Sequence, residues 1–265
     1  IKDERAITPL ADAAQARRRD EEPMMKAAET ILKTLSLSQV KRLVKSSNLT
    51  IRQMAIRSLA GFSQGSAPNA SIVQLLMDAM KDKDATIKRA AVYALSDIRD
   101  DGIAQDLAKL YQDPDIQVRV RVAFAVGRAS GRFTGAGKIL IDMMRDREKK
   151  VRIAAIDGLA LRKEASAFGK LMGLVNYPDP LLKRAVFAAL LALRNAENAQ
   201  ALRMKFRKGM ETRDSAVRLV CIQALAEGTV AGDMDALRQA SFDKSVGVKL
   251  SAIAVLAKSK LPEAL

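Results

Sequence analysis

The stretch DPDIQVRVRVAFAVGRA, Asp113 to Ala129, decides the fold, because it supports two incompatible readings. From Val118 to Val122 apolar and charged residues alternate, which is the period-two signature of a half-buried strand. The same residues fit a helix: Val118, Val122, Ala125, Val126 and Ala129 stand at i, i+4, i+7, i+8 and i+11, one face of a 3.6-residue period. Only recurrence elsewhere in the chain separates the two.

The pattern does recur. Seven segments share a frame in which an aliphatic residue is followed by Arg or Lys, and then by small or branched residues, mostly apolar, at +3, +4, +5, +7 and +8. They start at Ile51, Ile87, Val118, Val151, Leu182, Val217 and Val248, with spacings of 36, 31, 33, 31, 35 and 31 residues. Six of the seven lack the Val-Arg alternation yet keep the helical spacing, as in Ile87, Ala91, Ala94 and Leu95, so the shared element is a helix. Upstream lie second amphipathic segments over Ser71 to Met80, Ile103 to Tyr111, Lys138 to Met144, Ala165 to Val175, Gln200 to Phe206 and Met234 to Ala240. Short turns such as Asp113-Pro114-Asp115 join each pair, with the residue types that end one helix and cap the next. Each repeat is thus a helical hairpin that buries its apolar face only by stacking on its neighbours.

These units resemble HEAT repeats, of the short-turn kind also seen in phycobilisome-lyase-like proteins. The resemblance runs over roughly Leu37 to Ala257. It is carried by the turn acid, the aliphatic-basic pair, the small residue at +3 and the Ala-Leu-like ending, all visible in Asp84 to Leu95. It implies an all-α, right-handed α-α superhelix of about seven hairpins, a single solenoid over residues 23–265 behind a charged lead-in over residues 1–22. Met24 to Leu35 is expected to add a helix before the first hairpin, and Lys260 to Leu265 to begin another. Asn48, Asp84, Asp115, Glu148, Asp179, Asp214 and Ser245 stand four residues before the motif's Arg or Lys. In such arrays these positions are scaffold, and i,i+4 pairing at a helix start suits that role.

Composition agrees with an array. Apolar residues make up 49% but aromatics only 4%, with no Trp, which suits closely packed small-residue helices. Histidine is absent and Cys221 is the single cysteine, which excludes His-dependent triads, Cys/His zinc sites and an intrachain disulfide. Neither a metal nor a cofactor is expected. Cys221 occupies the +4 core offset, so it reads as a packed small residue and not a nucleophile. Gly131 to Lys138 has the wrong glycine spacing for a phosphate loop, carries Ile139 where Ser or Thr is required, and reads as a long inter-repeat loop. The alkylbase DNA glycosylases built on related repeats use groove tryptophans, which this chain lacks.

Binding is therefore the expected function. With 0, +3, +4, +5, +7 and +8 facing neighbours, offsets +2 and +6 form the open arc, the concave surface on which such solenoids hold partners. Its middle carries Tyr93, Val120, Phe124 and Ile153 between Arg57, Arg89 and Arg184, aromatic and aliphatic anchors with arginine at the rim. Arg121 joins them, because it stands at +3 where the other copies hold Met, Ala, Val or Ser. The chain is read as a non-enzymatic scaffold or assembly subunit that binds a protein on this face.

The net charge of +15 and pI near 10.1 motivate a second reading. Arg145, Arg147, Lys149 and Lys150 crowd one turn, and Arg203, Lys205, Arg207 and Lys208 decorate one outer helix. On one edge they would grip nucleic acid or an acidic partner in a salt-sensitive way. A lyase-like or other enzyme using the groove is the third reading. No apolar run reaches the roughly 18 to 20 residues that span a bilayer. A cytoplasmic location is expected, with an exported compartment following if a signal peptide has been removed.

Overall fold

A computed structural model describes residues 30–63, 68–226 and 229–259, together with residues 7, 9, 26 and 27. The expected lead-in over residues 1–22, apart from residues 7 and 9, and the helix expected from Lys260 lie outside these residues. Among the described residues there is no strand, and the fold is all-α. The deciding stretch is helical from Ile116 to Arg128. Its start is fixed by Asp115, whose carboxylate accepts the Gln117 amide at 2.7 Å, and its Val-Arg alternation does not alternate burial, since Arg119 is buried beside Val118 while Val120 and Arg121 are both half-buried.

The chain divides into two compact units, residues 1–136 and residues 137–265. In the first, α1 (Leu37–Leu43) pairs with α2 (Leu49–Leu59), α3 (Ala70–Ala79) with α4 (Ala85–Asp97), and α5 (Asp101–Ala108) with α6 (Ile116–Arg128). The second helices α2, α4 and α6 stack in a row. The second unit follows α7 (Ala136–Met143) with α8 (Lys149–Arg162), and continues with the pairs α9 (Phe168–Gly173) and α10 (Pro180–Ala192), α11 (Ala199–Gly209) and α12 (Ser215–Ala226), and α13 (Met234–Ala240) and α14 (Val246–Lys258). There α8, α10, α12 and α14 form the row.

The sequence frame maps directly onto burial. Offset 0 is buried in all seven copies, from Ile51 to Val248, and so is +4, from Ala55 to Ala252. Offset +5 is buried in six copies and exposed only at Ile253, on the last described helix. Small residues at +4 let neighbouring helices approach closely. Where larger side chains enter they interlock, as Phe187 on α10 and Phe206 on α11 do, with ring centroids 5.9 Å apart. Each fully buried Leu, Ile or Phe contributes about 1.5–3 kcal/mol relative to exposure, and that summed burial holds a row of short helices together.

Two boundaries differ from expectation. The first helix expected over Ala165 to Val175 is a 3-10 turn at Ala165–Ala167 followed by a short α-helix at Phe168–Gly173. Two glycines in that span, Gly169 and Gly173, weaken it. The loop expected over Gly131 to Lys138 is shorter, because α7 already begins at Ala136 while buried Phe133 anchors the turn before it.

The ladder residues serve as helix caps. Asn48, Asp84, Asp115, Asp179 and Asp214 spend their side-chain oxygens on backbone amides of the helix they precede, as in the Ala216 and Val217 amides bonded to Asp214 at 2.8 and 3.0 Å. Several basic partners turn back instead. Arg119, Arg152 and Arg218 each donate through Nη1 to the turn carbonyls five and six residues earlier. Lys88 pairs forward with Asp113, and Arg218 with Asp243, so the ladder runs from one hairpin to the next. No helix among the described residues is long and apolar enough to cross a membrane.

Candidate functional site

The +2 and +6 positions are exposed or half-buried in every copy. At +6, Arg57, Phe124, Asp157, Ala188, Gln223 and Ala254 are exposed and Tyr93 is half-buried; at +2, Arg184 and Leu250 are exposed and the rest half-buried. Tyr93, Val120 and Phe124 belong to the first unit, Ile153 and Arg184 to the second.

In the first unit the arc is not the bare apolar strip that the sequence suggests. Arginines cover its rings. The guanidinium carbon of Arg121 on α6 lies 3.7 Å from the ring centroid of Tyr93 on α4 and 5.6 Å from that of Phe124. Arg128, one turn further along α6, lies 4.7 Å from the Phe124 centroid, and Arg57 on α2 lies 5.7 Å from that of Tyr93. Three adjacent hairpins therefore contribute to one stack of guanidinium and aromatic groups, a favourable arrangement of cation over ring face. Phe124 remains 38% exposed beneath it. Tyr93 also donates its hydroxyl to Oε1 of Gln117 at 3.1 Å.

The unusual arginine at +3 is thereby placed. Arg121 makes an inter-repeat contact, reaching back to the Tyr93 ring and to within 3.7 Å of the Asp97 carboxylate. Arg89 is corrected from a free rim cation to an ion-paired one: it holds Asp115 of the next hairpin through Nε at 2.9 Å and Nη2 at 2.7 Å. Burial alone would raise the Asp115 carboxyl, but the Arg89 bond and the Gln117 amide outweigh it and hold it below the usual carboxylate value. By contrast, among the described residues Arg57 and Arg128 have ring faces as their partners and no carboxylate.

Beside the stack lies a cavity of about 540 Å³ within the first unit. Leu32, Met54, Ala60 and Phe62 give it apolar walls, and Lys33, Ser58, Arg57 and Asp97 its polar lining, the last two also part of the stack's surroundings.

In the second unit the arc carries Ile153, Asp157 and Arg184. Desolvation pushes the Asp157 carboxyl up, and the Arg184 charge opposes that only in part. Three of the eight residues of the expected basic edge are ion-paired. Arg203 and Arg207 both clasp Asp233, whose carboxylate is fully buried, with Arg207 Nε 2.7 Å from Oδ1. Lys149 is bonded to Asp179 at 2.8 Å. Arg145, Arg147, Lys150 and Lys208 remain exposed, and Lys205 is half-buried. Asp233 escaped the sequence reading because its partners lie 26 and 30 residues away and nothing local marks it. Cys221 is buried in the core and its thiol is pushed up to about 12, as its +4 offset requires.

The family model for HEAT repeats matches residues 38–128 and 137–209. Protein YibA of Escherichia coli strain K12 is 31% identical over 106 residues, an alignment covering 40% of this chain and 36% of YibA, so the match spans about a third of that relative. The X-ray structure of YibA aligns with a TM-score of 0.64 at 16% identity, over 90% of this chain and 88% of that one. The complex of CpcE and CpcF of phycocyanin lyase from Nostoc sp. PCC7120 aligns at 0.53 and 17% identity, over 87% and 91%. A crystal structure of an engineered protein aligns at 0.55 and 17% identity, over 94% and 77%. At these identities the three structures speak to the fold alone.

Proposed function

Since the chain belongs to the HEAT repeat family, we propose that it is a protein-interaction scaffold, or a subunit of a larger assembly, that receives its partner on the open arc of its second helices. One observation carries this reading: an exposed aromatic, Phe124, held between Arg121 and Arg128 on the face that the repeats leave uncovered. Arginine and aromatic residues side by side are the composition of energetic centres in protein interfaces. Their order supports the same role, since rings and guanidinium planes already stacked lose little side-chain entropy on binding. The contact set comprises Arg57, Arg89, Tyr93, Val120, Arg121 and Phe124 in the first unit, with Ile153 and Arg184 in the second. The reading assigns the chain no enzymatic step.

A pull-down comparing the intact chain with the triple variant Tyr93→Ala/Phe124→Ala/Arg184→Glu tests it. Loss of at least one abundant partner, with the far-ultraviolet circular dichroism unchanged, is expected. Unchanged recovery from a folded variant counts against this face.

Nucleic-acid binding is a second reading, favoured by the exposed Arg145, Arg147, Lys150 and Lys208, with Lys205 half-buried. It is weakened by the commitment of Arg203, Arg207 and Lys149 to carboxylates, because affinity of that kind comes from neutralised phosphates. Gel shifts with duplex and single-stranded oligonucleotides at low salt decide it.

A further inference from the structure

The geometry points to the chemistry of the partner segment: a short acidic peptide with a bulky apolar anchor, docked on the first unit with the anchor in the cavity between Leu32 and Phe62 and its carboxylates on Arg57, Arg121 and Arg128. This deepens the scaffold reading and rests on it.

Three features converge. The cavity, at about 540 Å³, is large enough for one or two large apolar side chains, and Leu32, Met54, Ala60 and Phe62 supply an apolar lining that would desolvate them. Arg57 lies at the cavity edge and also 5.7 Å from the Tyr93 centroid, so a chain leaving the cavity meets the cationic stack at once. Asp97 ties the two together from the other side, lining the cavity and sitting 3.7 Å from Arg121.

Charge decides what the stack accepts. Among the described residues Arg57, Arg121 and Arg128 share one ion pair, that of Arg121 with Asp97, while Arg89 is already satisfied by Asp115. A guanidinium stacked on a ring keeps its in-plane N–H donors available, and those donors match a carboxylate in a two-point fashion. The partner that completes the set therefore brings two or three carboxylates. A nucleic acid fits less well: Arg121 covers the Tyr93 ring face at 3.7 Å where a base would stack. A purely apolar helix leaves the arginines unmatched, and a basic peptide meets like charge.

The experiment is a selection from a phage-displayed random peptide library on the full chain, with the enriched peptides measured by fluorescence anisotropy. Enrichment of peptides combining Asp or Glu with a Phe, Leu or Trp anchor is expected. Their affinity should fall at least tenfold on Arg57→Glu or Arg128→Glu, and tenfold between 50 and 300 mM salt. Gly61→Leu should also weaken them at least fivefold, since Gly61 lines the cavity and a Cβ there has no atom of the described residues within 4 Å. Enriched peptides that need Phe124 but lack acids would overturn this inference and leave the scaffold reading standing. Selection of no peptide at all would overturn both. Tighter binding of a twenty-nucleotide single-stranded DNA than of any peptide, abolished by the same arginine variants, would overturn the choice of partner.

Discussion

Arg121 and Tyr93 come from adjacent hairpins and meet with the guanidinium carbon over the ring, 3.7 Å from its centroid. The contact fills the +3 position, which in other copies holds a small or apolar residue, with a charged group turned toward the open arc. A double-mutant cycle on Tyr93→Leu and Arg121→Met, followed by urea denaturation, is expected to give a coupling energy of about 0.5–1 kcal/mol, since the pair is only half-buried. Additive effects would reduce the stack to chance proximity.

The buried clasp in the second unit is worth more. Asp233 is fully buried and bonded by two arginines and by the Val230 amide at 3.0 Å. Asp233→Ala leaves Arg203, whose side chain is 13% exposed, without its carboxylate, and a loss of about 3–5 kcal/mol is expected. A change under about 1 kcal/mol in the denaturation midpoint energy would show that water replaces the carboxylate at little cost.

Acid sensitivity follows from the ladder. Arg218 grips Asp243 by Nε and Nη2, both at 2.7 Å, and this hydrogen bonding holds the Asp243 carboxyl below its ordinary 3.8 despite partial desolvation. A depressed folded value means the folded state releases its proton more readily, so the stabilisation is present in full above pH 3.8 and is lost as pH falls through the folded value. Asp243→Asn should therefore destabilise the protein at pH 7 by about 1–3 kcal/mol. The gap to wild type should narrow as pH falls below 3.8 and through the folded value. A gap independent of pH would point to a packing loss and not a charge effect.

Close packing has a signature at one glycine. A Cβ on Gly209 would sit 2.5 Å from the Cys221 sulfur and 2.6 Å from Cε1 of Phe187, both fixed in the core. Gly209→Ala is expected to cost about 1–3 kcal/mol, overriding the helix-propensity gain of about 1 kcal/mol. Gly173, with open space around the same atom, is the control, and Ala there should be neutral or stabilising.

The helices were legible because one periodic constraint repeats seven times. Every 0 and +4 residue that the frame places inside, such as Val118 and Val122, is inside, and the open +6 position is open at Arg57 and Phe124. Recurrence overrode the strand-like Val-Arg alternation because a single stacked architecture has to satisfy all copies at once. The partners of charged residues were not legible. Arg203 and Arg207 look like a free basic helix until the loop carrying Asp233 folds over them, and Arg89 looks like a rim cation until the next turn delivers Asp115. Such pairings depend on which turn each hairpin brings alongside, a consequence of stacking that local spacing does not encode. The same holds for the ring-covering arginines: the +6 offset marked Arg57 and the odd residue at +3 marked Arg121, but nothing marked Arg128.

Site-specific photo-crosslinking tests the binding face most directly. Benzoylphenylalanine placed at position 124, on the open arc, is expected to capture a partner protein in cells, whereas at position 204, which is 60% exposed on the first helix of a hairpin, it should capture none. Crosslinks at position 204 with none at position 124, in variants that fold normally, would contradict partner binding on the arc.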